Sequence, residues 1–362
     1  MCKQVQCRAV REGVLLFLIL VAIGMGTVAE TLVLPLIGRV GECSYCEGVE
    51  DAFDTAESSI DLLLSDARLE ENPLWDNLLA AASRGVAVRV LLDQSDWAPA
   101  ITEKNRPTID YLIAHGIEAR FDNLTVTTHS KLVIVDRRVV ILGSTNWNHY
   151  AFTAQEQADV IVEDVQVGEV FASYFDRLWA GHLIENGVKL DLSPLDDEEP
   201  LIVPLPETVG TANYGRVLIE LLRGAQQSVH VVMYRISHYS GYQESQGNEI
   251  LQELIAAASR GLDVRILMDD CSFYRGSAEA NLEAADYLRR HGVEVRMDNP
   301  DETTHAKLVI VDGASTILGS TNWNYYSLQR NNEVDLAFID LPDVAAPYEA
   351  FFQALWQQGR EP

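Results

Sequence analysis

The chain has 362 residues, 48% of them hydrophobic, and a formal net charge of −27 at pH 7. That length accommodates two domains or one duplicated unit, and the hydrophobic content excludes a disordered chain. Non-specific nucleic-acid binding draws on Lys and Arg neutralising phosphates, so the acidity argues against it as a default activity, a locally basic site excepted.

Lys3, Arg8 and Arg11 precede an apolar run from Val14 to Ile23 that fades by Ala29. A basic flank followed by an apolar stretch is the pattern of a signal peptide or a membrane anchor. Residues 13–29 suffice to cross a hydrocarbon core as a hydrophobic helix. Apolar character resumes at Leu32–Ile37, which favours a retained anchor over cleavage. The segment 1–42 is therefore expected to tie the protein to a membrane with its bulk extracytoplasmic, or else to direct secretion. Cys43 and Cys46 follow, a pair able to bridge in an oxidising compartment. No further ligands at matching spacing accompany them, so neither a metal nor another cofactor is expected.

The rest of the chain is written twice. Ala81–Asp93 recurs as Ala257–Asp269, Tyr111–Asn123 as Tyr287–Asn299, and Thr127–Asp136 as Thr303–Asp312, all at an offset of 176 residues. A constant offset means two copies of one fold. Each copy reads as α/β. A helix ends at Arg84-Gly85 or Arg260-Gly261, where Gly suits a left-handed C-cap. A short apolar strand follows, Val88–Leu92 or Val264–Met268, then a second helix ending at His115-Gly116 or His291-Gly292. Two strands joined by an Asp-containing turn come next, Lys131–Val135 with Val139–Leu142 and Lys307–Val311 with Thr316–Leu318. Aromatic helices, Phe171–Trp179 and Tyr348–Trp356, close the copies. The expected organisation is residues 43–190 for the first half, an acidic Pro-rich connector at 191–208, and 209–362 for the second half. A longer loop, Ser237–Asn248, distinguishes the second copy and is read either as one wall of a cleft or as a plain surface excursion.

Within each copy stands His-x-Lys-x4-Asp-x6-Gly-Ser-x-Asn: His129, Lys131, Asp136, Gly143, Ser144 and Asn146, then His305, Lys307, Asp312, Gly319, Ser320 and Asn322. Residues i and i+2 of a strand share a face, so imidazole and ammonium meet the same ligand. The Gly residues admit close backbone approach, while Ser and Asn supply neutral hydrogen bonds for phosphate binding. Two such cradles, face to face, would grip a phosphodiester from both sides. The Asp residues also have a plain explanation as turn formers between strands. Trp147 and Trp323 are assigned to the core. His115, His149, His182, His230, His238 and His291 lack suitable partners and are assigned to helix ends or the surface.

The doubled motif resembles that of the phospholipase D superfamily, and the resemblance runs from about Ser59 to the C-terminus. It implies two homologous α-β-α sandwich halves with mixed sheets packed about a pseudo-twofold axis. It also implies that one His attacks phosphorus while the other protonates the leaving alcohol and then activates water or an acceptor alcohol. His129 is expected as the nucleophile; Asp136 and Asp312 are counted with the catalytic motif, although the family places this Asp away from the phosphate. A downstream carboxylate that orients an imidazole in the family has its candidate in Glu333, 28 residues after His305. The matching place in the first copy is Gln157, beside Glu156, so the two histidines are unequal.

The superfamily does not fix the substrate. A membrane-proximal N-terminus favours a phospholipid. The Gly-Ser-Thr-Asn-Trp stretch resembles the small nucleases of the superfamily, which keeps nucleic acid as the alternative. A phosphatidyltransferase of the cardiolipin-synthase type ranks lower, because the Asp-x-Arg-Ser that follows Gly-Ser-x-Asn in those enzymes is absent here. With both motifs in one chain, a monomer suffices.

Overall fold

The structure is a computed structural model that describes residues 19–21, 31–96, 98–182, 189–196, 199–242, 245–270 and 275–362. Its two mixed sheets repeat one strand order. From one edge the first runs Ile19–Val21, Thr31–Gly38, Gln155–Glu163, Val139–Gly143, Lys131–Val135, Ser59–Leu64, Ala87–Leu92, Glu118–Phe121. The second runs Leu201–Glu207, Glu333–Ile339, Ser315–Gly319, Lys307–Val311, Ser228–Met233, Asp263–Met268, Glu294–Met297. The last three strands of each are parallel, with helical crossovers, and the others pair antiparallel. Central strands such as Lys131–Val135 are buried along their whole length, which is why they read as unbroken apolar runs.

The closing helices, Val165–Trp179 and Pro342–Gln358, put Phe171, Phe175, Phe351 and Phe352 into one core cluster with strands of both sheets. They also tie the halves together. Tyr174 Oη donates to Glu207 O at 2.9 Å, and Tyr348 Oη donates to Asp159 O at 2.7 Å, each across the interface. Two further clusters lie under the outer helices of each half.

Two expected boundaries move. Thr31–Gly38, read with the anchor, is a strand of the first sheet that pairs with Gln157–Glu163. Leu201–Glu207, read as connector, is the matching edge strand of the second sheet. Both carry Pro, at Pro35, Pro204 and Pro206, and near a sheet margin the missing N–H costs little. Ile19–Val21 pairs with Thr31–Val33, while the remainder of the apolar stretch lies outside the described residues. Among the described residues no helix is long and apolar enough to cross a membrane. Cys43 and Cys46 are joined by a disulfide at the start of helix Ser44–Thr55.

Candidate active site

The Asn-Trp-Asn stretch after each Gly-Ser divides its labour. Trp147 and Trp323 are fully buried and donate through Nε1 to Tyr45 and Tyr214 at 2.8 and 2.9 Å, as core residues. Asn148 and Asn324 cap the short helices His149–Thr153 and Tyr325–Gln329. The first Asn of each, Asn146 and Asn322, is left with a buried Oδ1 that has no partner among the described residues. Those amides retain unspent hydrogen-bonding capacity, as a ligand site requires.

The backbone around each histidine is held by the opposite half. His129 N donates to Asn332 O at 2.9 Å, and Asn332 N returns to Thr127 O at 2.8 Å. Likewise His305 N donates to Glu156 O at 2.9 Å, and Thr303–Thr304 pair in parallel with Gln155–Glu156. The side chains cross too. His129 Nδ1 lies 2.9 Å from Glu333 Oε2 and 3.1 Å from Ser320 O. His305 Nδ1 lies 3.0 Å from Ser144 O and 3.3 Å from Gln157 Oε1. Glu333 thus meets the imidazole of the other copy, and Gln157 does the same in return. With Nδ1 occupied in each ring, Nε2 is the atom left for chemistry.

Electrostatics ties the four motif side chains into one site. Burial pushes both imidazoles below their ordinary range; Glu333 offsets this for His129, while Lys307, Lys131 and His129 deepen it for His305. Burial also lowers Lys131 to about 8, against the pull of Glu333, and drives Lys307 well below its usual value, where Lys131 adds repulsion. Burial opposes ionisation of Glu333, yet His129 and Lys131 hold its pKa below the ordinary value. Each ammonium donates to the carbonyl of its own motif His. Burial and mutual repulsion thus disfavour the charged forms of these groups, and an anion placed among them would relieve both effects.

The glycines earn their place by close approach. A Cβ at Gly143 would lie 2.5 Å from Ala158 O and 2.3 Å from Asp159 Oδ1, and one at Gly319 would meet Val334 O and Asp335 Oδ1 at 2.4 and 2.3 Å. These buried carboxyls in turn accept from Thr145 and Thr321, fixing the turn that carries Ser and Asn.

Three expectations need correcting. Ser144 and Ser320 do not face a phosphate: Ser144 Oγ donates to Gln157 Oε1 at 2.7 Å, and Ser320 Oγ to Glu333 Oε2 at 2.6 Å. Fully buried, they hold the groups behind the imidazoles. Asp136 and Asp312 lie at the far end of their strands, about 17 Å from the lysines at the usual rise per residue. There they adopt positive φ and accept backbone N–H bonds from Glu57, Ser58 and Ser59, or Gln226, Gln227 and Ser228. They are turn clamps rather than catalytic groups. His230 is neither at a helix end nor exposed; it is buried in its strand with Nδ1 at 2.8 Å from Glu349 Oε1.

One residue escaped the sequence reading. The Tyr234 ring lies 4.6 Å from the His305 ring, and Lys307 Nζ sits 4.9 Å over it. Extending the repeat one position past the strands Ser59–Leu64 and Ser228–Met233 would have exposed it, because its counterpart is Ser65.

Two histidine–lysine motifs brought together across paired α/β halves define the phospholipase D-like class. A family model described as cardiolipin synthase, PLD-like domain, matches residues 49–179 and 218–356. The chain belongs to the phospholipase D superfamily. The mitochondrial cardiolipin hydrolase of Xenopus tropicalis is 30% identical over 155 residues, which are 43% of this chain and 65% of that protein. A probable phospholipase D of Caenorhabditis elegans is 28% identical over 201 residues, 48% of this chain and 35% of that one. The chain thus spans less than two thirds of these relatives. The phosphatidylserine synthase of Haemophilus influenzae Rd KW20 shares the fold with a TM-score of 0.68 at 13% identity, covering 90% of this chain and 89% of that one.

Proposed function

We propose that the protein is a phosphodiesterase that hydrolyses a phospholipid through a phosphohistidine intermediate, with no step that requires a metal. The observation that carries this reading is the unequal support of the two rings: beside the carbonyl that each Nδ1 meets, a carboxylate stands behind His129 and an amide behind His305.

Glu333 accepts the Nδ1 proton of His129, which leaves the Nε2 lone pair free and stabilises the charge that develops as it attacks. The P–N bond forms as the P–O bond to the leaving alcohol breaks, and that oxygen takes the proton from His305 Nε2. Neutral His305 then takes a proton from water, whose oxygen attacks phosphorus and breaks the P–N bond. This regenerates both rings. Lys131, Lys307 and the Nδ2 donors of Asn146 and Asn322 hold the non-bridging oxygens. A bound phosphodiester anion counters the lysine field that depresses His305, so substrate binding itself favours protonation of the acid.

The named activities of the relatives favour lipid over nucleic acid, and so does the expectation of a membrane-tethered segment ahead of Thr31, with the catalytic halves extracytoplasmic. Incubating the protein separately with labelled phosphatidylcholine and single-stranded DNA tests this. Choline release is expected, and DNA cleavage without choline release refutes the lipid assignment.

A further inference from the structure

The segments that follow Ser59–Leu64 and Ser228–Met233 are held by one hydrogen-bonding scheme. Ser65 N donates to Ser130 O as Tyr234 N does to Ala306 O, and Trp147 N donates to Asp66 O as Trp323 N does to Arg235 O. Ala67 N meets Asn105 Oδ1 as Ile236 N meets Asn281 Oδ1. Arg68 N then donates to Trp147 O as Ser237 N does to Trp323 O. Asp66 and Arg235 therefore occupy equivalent places beside the two motifs. So do Arg68 and Ser237.

In the first half these two side chains satisfy each other. Arg68 Nε and Nη2 grip the Asp66 carboxylate at 3.0 and 2.8 Å. The Asp66 charge lies close enough to Lys131 to favour its ionised form. In the second half the carboxylate is replaced by a guanidinium. Arg235 Nε and Ser237 Oγ are both buried with no partner among the described residues, and Ser237 is only 5% exposed. Leaving a buried guanidinium nitrogen and a buried hydroxyl unpaired is costly. A chain with 54 acidic residues does not lack carboxylates to offer. What the first half supplies from its own sequence, the second leaves open among the described residues.

We infer that Arg235 and Ser237 form a second anion subsite on the His305 side of the cleft, which binds a carboxylate or second phosphate carried by the substrate. The inference rests on the phosphodiesterase reading for the position of the reacting phosphate. Asp66 lies close enough to Lys131 to act on its charge, so by the repeat its equivalent Arg235 stands in the same relation to Lys307, and the subsite adjoins that phosphate. The incoming oxyanion takes the place that the Asp66 carboxylate fills in the first half. A guanidinium and a hydroxyl are matched to an oxyanion by charge and by donor geometry.

Calorimetric titration of the full chain with two ligand pairs tests this. O-phosphoserine and O-phosphoethanolamine differ by one carboxylate; glycerol 1,3-bisphosphate and glycerol 3-phosphate differ by one phosphate. The extra anion is expected to tighten binding about tenfold in at least one pair, and which pair responds identifies the anion. Arg235→Gln is expected to bring that ratio to within about twofold, with Ser237→Ala producing a smaller fall in the same direction. Ratios near one in both pairs overturn the subsite, as does a ratio that Arg235→Gln leaves unchanged. If Arg235→Gln does not fold, Arg235→Lys serves in its place: a reduced ratio supports the subsite and an unchanged one refutes it. Turnover of bis(4-nitrophenyl) phosphate by the same preparation reports separately on the phosphodiesterase reading, because the binding ratios do not depend on turnover.

Discussion

The two halves carry the same motif on the same scaffold, yet their histidines live in different surroundings. Each Nδ1 meets a carbonyl, but His129 adds a carboxylate and is partly buried, whereas His305 adds an amide and is buried. Much of what positions the rings is duplicated: the Ser behind each partner, the glycine that lets strands close, the cross-interface backbone bonds. What differs is the partner's charge, and the Tyr234 ring that lies against His305 where the first half has Ser65. Duplication kept the geometry and let the chemistry divide, so that one ring is suited to attack and the other to proton transfer.

Removing either ring gives the largest effect. His129→Ala and His305→Ala should each lower kcat about 10⁴-fold toward a lipid substrate, because they act as a unit. A substrate with a good leaving group such as 4-nitrophenol separates them. It needs no acid for the first step, so His305→Ala should still show a burst of nitrophenol and His129→Ala none; bursts from both would break the comparison.

Exchanging the partners sharpens it. Glu333→Gln removes the carboxylate that raises the His129 pKa. The expected result is a rate about 10²-fold lower and an acid limb of the kcat profile moved to lower pH. Gln157→Glu places a carboxylate behind His305, raises its pKa, and should carry the alkaline limb to higher pH. A profile unmoved by both exchanges contradicts the assigned roles. Ser320→Ala and Ser144→Ala come next, each with about a tenfold loss, since each frees one partner from a single buried hydrogen bond.

The smallest effect on rate belongs to Asp136→Asn. The carboxylate accepts three backbone N–H bonds far from the lysines, so about 1–2 kcal/mol of stability should be lost, discounted for its partial exposure. Burial opposes its ionisation, but the bonds from Ser58, Glu57 and Ser59 outweigh that and hold its pKa below the usual value. Its contribution is therefore present above about pH 4 and fades as pH falls through the lowered pKa. Denaturant melts at pH 7 and pH 3 check the sign: the difference between variant and parent should shrink at the lower pH.

Much of this was legible in the sequence. The constant offset revealed two halves, and the motif residues His129, Lys131, His305 and Lys307 do converge. The outer strands were not legible, because Thr31–Gly38 continues an apolar run and Leu201–Glu207 carries two prolines next to an acidic stretch. Period alone does not tell a margin strand from a linker. Nor could spacing reveal that Glu333 serves His129, since a twofold interface pairs residues that the repeat keeps apart. Ser144 and Ser320 were misjudged for a related reason: a hydroxyl beside a phosphate and one behind a carboxylate look alike in sequence. Arg235 and Tyr234 fall where the copies diverge, just past the matched strands.

The central claim is that one named imidazole becomes phosphorylated while the other moves the protons. Incubating His305→Ala with a ³²P-labelled 4-nitrophenyl phosphodiester, quenching in alkali and mapping the labelled peptide tests it directly. Label on His129 is the predicted result; label on any other residue contradicts the account.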